Sequence, residues 1–321
     1  MKIPLVVAIL SACLVSAAWA QQSQSPMTQE EVLKVLKKFK KDQMKAAAIV
    51  GERGVAFDMT PEFQKKLQKA GADRPFFEAV FGAGPMGRSF NTPLGQRLQV
   101  SAAEKLAFMQ IQSELDPNTQ LNMVDSFEKN FPSSPLMSYV YSQAARVYQQ
   151  KGDYDKVVDF NARALKLEPN NVFSLVMMAL VLPQPKMLQG SPADVDKKLA
   201  TAETYANRAL QLVDQIPAEF LEKDPQLQKL KPSVSSDAHA ALGMVNLHRD
   251  NFAKAAEEFK AAIASSVNPN PVNYYRLGEA YENGGKIDLA IEAFKNASDL
   301  GEGTAIKDFA DKKLAELETR K

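Results

Sequence analysis

Few residues in this chain have the types and spacing that chemistry needs. The two histidines are His239 and His248. A Ser/His/Asp relay or a helix-borne zinc site would set one of them beside a nucleophile elbow or inside an H-E-x-x-H run. Neither histidine has such neighbours. The adjacent carboxylates Glu30-Glu31 and Glu257-Glu258 point in different directions on a helix, which suits solvent rather than acid/base work. With 1 Cys and 2 His, neither a four-ligand Cys/His zinc site nor a disulfide framework can be assembled within one chain. Gly82-Ala83-Gly84-Pro85-Met86-Gly87 has the spacing of a dinucleotide loop. That loop needs a strand before it and a helix N-terminus after it to receive the pyrophosphate. Here the helix-like run Phe76 to Phe81 comes first and Arg88-Ser89-Phe90-Asn91-Thr92-Pro93 follows, so a linker is expected over 83–100. No catalytic residue, metal site or cofactor is expected, and the chain reads as a non-enzyme.

The elements that position the remaining candidates follow from length and periodicity. A chain of 321 residues allows roughly two domains or one extended array. Hydrophobic residues at 45% and charged residues at 24% are ordinary globular values. Lys plus Arg is 39 against 38 Asp plus Glu, a balance that favours neither nucleic acid nor an anionic surface as partner.

Lys2, the apolar run Ile3 to Val15 and the small-x-small site Ala18-Trp19-Ala20 form the signature of a secretory signal cleaved after Ala20. The run is too short to span a bilayer, which takes about 20 apolar residues. A periplasmic or secreted location is expected, and loss of Lys2 leaves 38 basic against 38 acidic residues. The alternative is a lipoprotein, because Leu10-Ser11-Ala12-Cys13 resembles a lipobox. Membrane attachment is expected only if Cys13 is acylated.

A small helical module is expected over 21–82. Thr28 with Glu31 spells a capping box, and Val32, Leu33, Val35, Leu36 and Phe39 follow at helical spacing. Further helices are expected from Gln43 to Glu52, from Thr60-Pro61-Glu62 to Ala70-Gly71, and after Asp73. Lys34, Lys37, Lys38, Lys40, Lys41 and Lys45 crowd its first half. Docking to an acidic lipid or glycan surface and a merely solvated helix face are the two readings of that run, and the second is preferred.

Internal periodicity is the strongest signal. Counted from Pro271 as position 1, Tyr274, Leu277, Gly278, Tyr281, Ala290, Phe294 and Ala297 stand at 4, 7, 8, 11, 20, 24 and 27. Counted from Ser236, Leu242, Gly243, Ala255, Phe259 and Ala262 repeat 7, 8, 20, 24 and 27, with Asn246 in place of the aromatic at 11. A unit from Ser138 carries Tyr141, Ala145, Tyr148, Gly152, Ala164 and the terminating Pro169, but departs at Ala144 and Asn161. This spacing closely resembles the tetratricopeptide repeat. Small residues let two antiparallel helices approach, while large ones fill the space between helices.

The expected architecture is all-α: a solenoid of helical hairpins near 101–135, 138–171, 172–213, 236–270 and 271–303, capped by a helix over 304–321. The third hairpin holds an insertion marked by Pro183, Pro185, Gly190 and Pro192, and an irregular stretch is expected from Ile216 to Pro232.

The resemblance also implies a binding face. In this family ligands lie along the concave surface, on positions 2, 5, 9, 12 and 13 of each first helix. Those positions are Tyr139, Ser142, Arg146, Gln149 and Gln150, then Phe173, Val176 and Leu180. The later units supply Asp237, Ala240, Met244, Leu247 and His248, then Val272, Tyr275, Glu279, Glu282 and Asn283. Tyr139, Phe173 and Tyr275 either wall pockets or pack against adjacent helices. The resemblance implies a non-enzymatic scaffold of the bacterial cell envelope that binds another protein or peptide. The alternative is a periplasmic carrier of a small apolar or glycan ligand held near 183–196.

Overall fold

The computed structural model describes residues 25–319 apart from 86–88, 95, 217, 219, 220, 222–224 and 267. The expected leader, with Cys13, lies outside the described residues. The chain divides into two compact units, Met1–Arg88 and Ser89–Lys321.

The first unit holds α1 (Gln29–Lys38), α2 (Gln43–Arg53), α3 (Pro61–Lys69) and α4 (Arg74–Ala83). Each starts where a side chain satisfies orphan amides of its first turn. The Thr28 hydroxyl accepts from Glu31 N while Glu31 accepts from Thr28 N at 2.8 Å. Asp42, Thr60 and Asp73 cap the other three. Val32, Leu36, Val50, Phe63, Leu67, Phe76 and Val80 close one dry core between them. Gly82 and Ala83 belong to α4, so the glycine-rich run follows a helix and lacks the strand a dinucleotide loop requires.

The second unit begins with an antiparallel hairpin, β1 (Ser89–Asn91) and β2 (Arg97–Gln99), inside the segment expected as a linker. Burial explains it. The Phe90 ring meets Phe108 edge-on at 5.3 Å, and Leu98 packs in the same cluster. Helical hairpins follow: α5 (Ala102–Ser113) with α6 (Pro117–Asn130), and α7 (Met137–Gln150) with α8 (Tyr154–Leu167). Next come α9 (Val172–Val181) with α10 (Pro192–Asp214), α11 (Pro225–His248) with α12 (Phe252–Ser265), and α13 (Pro271–Asn283) with α14 (Ile287–Leu300). The helix α15 (Ala305–Glu318) ends the series. Apart from the two-strand hairpin, all the regular elements among the described residues are helices.

The spacing of small and large residues becomes contact here. A β-carbon built on Gly243 would sit 2.7 Å from the Phe259 ring, and one on Gly278 would sit 2.6 Å from the Phe294 ring. Only hydrogen at position 8 leaves room for the aromatic at position 24. Ala255, Ala262, Ala290 and Ala297 are fully buried where the paired helices touch, as is Ala164 one hairpin earlier. Leu242 and Leu277 are buried beside them, and Tyr281 packs on both flanking clusters. In the 138–171 hairpin, Asn161 stands where the others have Phe. The aromatic contribution shifts to Phe160, stacked on Tyr148 with ring centroids 5.4 Å apart. Gly152 takes φ of 69° in the turn, and Pro169 follows the end of α8.

Asn161 is buried, and its Nδ2 donates to Val157 O at 2.9 Å within its own helix, while its Oδ1 has no partner. A buried unpaired acceptor costs about 1 to 3 kcal/mol. Asn161→Leu is therefore expected to raise unfolding free energy by about 1 kcal/mol, read as a higher urea midpoint.

Two helices begin earlier than expected. Pro225–His248 starts inside the stretch expected to be irregular and carries Pro232 in its interior. Proline there removes one backbone donor, but the extra turns bury Leu227 and pack Leu230 against the α9/α10 core. That burial outweighs the loss. Helix α10, expected from Lys197, starts at Pro192 because Ser191 and Asp194 form a capping box there.

Candidate functional site

The first helices α7, α9, α11 and α13 carry the residues expected on one face, and the structure sorts them into covered and open sets. Tyr139 is buried under the β-hairpin, 5.8 Å from Phe90, with its hydroxyl bonded to Thr92. Burial, reinforced by the Glu168 charge, pushes its phenol up to about 12. Tyr139 therefore walls no open pocket. Ser142 is buried in a polar knot, 2.9 Å from both Ser174 Oγ and Asn171 Nδ2, which ties α7 to α9. Val176 is in the core. Arg146 and Gln150 are exposed, Gln149 is half-buried, and Phe173 keeps 41% of its surface in solvent.

The open set converges between α11 and α13. Met244, Leu247, His248, Glu279 and Asn283 line one cleft of about 270 Å³ with Asp250, Phe252 and Arg276. The first five belong to the expected face. Arg276 was not among them, although its i,i+3 spacing to Glu279 was readable; the two pair at 2.7 Å. The floor is apolar, formed by Met244, Leu247 and Phe252, and the rim is polar. At one end the insertion closes the rim: His248 Nε2 lies 2.8 Å from Pro183 O. A carbonyl only accepts, so Nε2 carries the proton and donates to it. Gln184, next in the insertion, reaches the Met244 sulfur at 3.8 Å.

Beyond the cleft, Tyr275 stands between Phe294, 5.4 Å away, and Phe309, 6.4 Å away. Glu282 pairs with Lys313 of α15 at 2.8 Å. His239 is turned to α12, where its Nδ1 meets Glu258 Oε2 at 2.8 Å. Each histidine is thus held by a structural partner.

Asp237, at position 2 of its repeat, is the anomalous charge of this face. Desolvation alone drives its carboxyl from the ordinary value near 3.8 up to about 6. A raised acid binds its proton more tightly folded than unfolded, so stability falls as pH rises from about 4 through 6. Asp237→Asn removes that penalty. It is expected to raise stability at pH 7.5 by about 2 to 3 kcal/mol, with the gain fading as pH falls below 6. Urea titrations of both proteins at pH 7.5 and pH 4.5 check this, and an equal gain at both would refute it.

Among the described residues no helix is long and apolar enough to cross a membrane. A model of the tetratricopeptide repeat matches residues 138–171 and 272–300. Tetratricopeptide repeats are present in those two segments. Of the two hairpins between them, α11–α12 has the same glycine–aromatic packing, Gly243 against Phe259, as the matched α13–α14 hairpin has between Gly278 and Phe294. Over 117 residues the chain is 31% identical to Superkiller protein 3 of Schizosaccharomyces pombe, covering 36% of this chain and 8% of that relative.

Solved structures to which the chain is similar include the following two. A thermophilic tetratricopeptide-repeat protein in Thermus thermophilus has 15% identity, coverage of 67% of this chain and 99% of that one, and a TM-score of 0.46. The human IFIT1 dimer with PPP-AAAA has 18% identity, coverage of 91% and 63%, and a TM-score of 0.48. Proteins built on these repeats generally act as protein-interaction scaffolds.

Proposed function

We propose that the chain is a non-catalytic scaffold of the bacterial cell envelope that holds an extended segment of another protein in the cleft between α11 and α13. The observation that carries this reading is the convergence of Met244, Leu247, His248, Arg276, Glu279 and Asn283, from successive first helices, on one cleft. Its volume of about 270 Å³ lies just under the roughly 300 to 1,000 Å³ of small-molecule pockets. That is room for one large apolar side chain of a longer ligand. The Asn283 amide offers a donor and an acceptor together, as a peptide backbone requires.

A peptide-display selection on the full chain tests this reading. Enriched peptides should share an apolar anchor residue and should lose binding to a Leu247→Glu, Asn283→Ala double variant. Peptides that bind the double variant equally well would place the site elsewhere. The envelope setting rests on the leader-like Lys2 to Ala20. Intact mass spectrometry of the purified protein should find Gln21 as first residue, and an acylated Cys13 would replace free export by lipid anchoring.

A further inference from the structure

The Met1–Arg88 unit has a pole at which positive charge collects, independently of the cleft in the repeats. Two turns meet there. The Gln43 side chain donates to Gly71 O at 2.9 Å and accepts from Asp73 N at 2.8 Å, which joins the α1–α2 turn to the α3–α4 turn. The C-terminal ends of α1 and α3 therefore come together, with Lys37, Lys38, Lys40 and Lys41 from the first, Lys66 and Lys69 from the second, and Lys45 in the first turn of α2. All seven are exposed, and among the described residues none forms an ion pair. The nearby acids are otherwise engaged. Asp42 accepts from Lys45 N and Asp73 from Phe76 N as helix caps, while Glu78 pairs with Arg74. Glu30, Glu31 and Glu62 stand in the first turns of α1 and α3, at the far end.

Within this pole lies apolar surface. Met44 is 68% exposed, and the ammonium groups of Lys38 and Lys45 each lie 5.4 Å from the centre of the half-buried Phe39 ring. We infer that this pole docks the protein peripherally on an anionic phospholipid bilayer, with the lysines at the headgroup phosphates and Met44 entering the interface.

Three features select a lipid surface over other polyanions. The cations are compact lysine ammoniums, which answer a diffuse surface field, whereas bidentate phosphate recognition in nucleic acid favours arginine. At this pole the Phe39 ring is half-buried and each of two ammoniums lies 5.4 Å from its centre, which suits it poorly to stacking on a base. An exposed methionine among the charges gains by burial between headgroups, as on interfacial helices, and gains nothing against a hydrated glycan.

Cosedimentation of the full chain with vesicles tests the inference, using 30 mol% phosphatidylglycerol in phosphatidylcholine against phosphatidylcholine alone. Binding is expected only to the anionic vesicles and should fall at least tenfold between 0.1 M and 0.5 M NaCl, since exposed charges are screened. The quadruple variant Lys38→Gln, Lys40→Gln, Lys41→Gln, Lys45→Gln should lose at least tenfold in affinity with unchanged helical circular dichroism. Met44→Asp should lose several-fold. Lysine-to-glutamine changes at Lys254, Lys260 and Lys295 in the repeats should leave binding intact. Equal binding to both vesicle types, or no binding to either, overturns the inference. So does heparin or duplex DNA binding that matches the vesicles in strength and ignores Met44→Asp.

Discussion

Phe294→Ala is expected to lower the unfolding free energy of the repeat unit by about 3 to 5 kcal/mol, the cost of removing a fully buried ring from a site that cannot collapse. The site is rigid because Phe294 fills the space left by the missing side chain of Gly278 and packs on Tyr275. Gly278→Ala attacks the same contact from the other side. Its new methyl would lie 2.6 Å from the ring, an overpacking worth about 1 to 3 kcal/mol, offset by up to about 1 kcal/mol because alanine is the better helix former. The double variant should cost less than the two changes summed, since the methyl enters the cavity that the ring vacates. Urea unfolding followed by circular dichroism measures all three. Strict additivity would show that glycine and ring do not share one space. The Gly243 and Phe259 pair should behave alike.

The second large effect concerns binding. Leu247→Glu is expected to weaken the affinity of cleft-selected peptides by tenfold to a hundredfold, about 1.4 to 2.7 kcal/mol. The carboxylate would stand in a cleft that already holds Asp250 and Glu279, and it would replace the apolar floor on which an anchor side chain rests. Truncation of a central, desolvated contact is the kind of change that dominates an interface. Asn283→Ala, at an exposed position, should shift stability by no more than about 0.5 kcal/mol while still weakening the same peptides. Isothermal titration with one selected peptide reads both. Unchanged affinity in both variants would remove the cleft from consideration.

Much of the fold is legible in the letters because helical hairpins are local objects. Glycine at 243 and 278, phenylalanine at 259 and 294 and the buried alanines announce a close approach of two helices, and the helices meet at those positions. The caps at Thr28, Thr60 and Asp73 are equally local. Where expectation and structure part, a distant segment intervenes. The hairpin at 89–99 forms because Phe90 and Leu98 find a surface supplied by later residues. Pro232 is tolerated in a helix because Leu227 and Leu230 bury against α9 and α10.

The candidate site shows the same division residue by residue. The resemblance to the tetratricopeptide repeat implied that Tyr139, Ser142, Met244, Leu247, His248, Glu279 and Asn283 share one side of their helices, a placement that needs no tertiary information because the angle between successive residues on a helix is set by backbone geometry. The spacing of the repeat also set the small-to-large complementarity that stacks the hairpins. Only the tertiary structure decided which of those side chains are open. The β-hairpin covers Tyr139 and the Asn171 and Ser174 side chains engage Ser142, while Met244, Leu247, His248, Glu279 and Asn283 line the α11–α13 cleft, where the insertion meets His248. The physical reason is that the face a residue takes is a property of its own helix, while exposure depends on whatever else the chain lays upon that face.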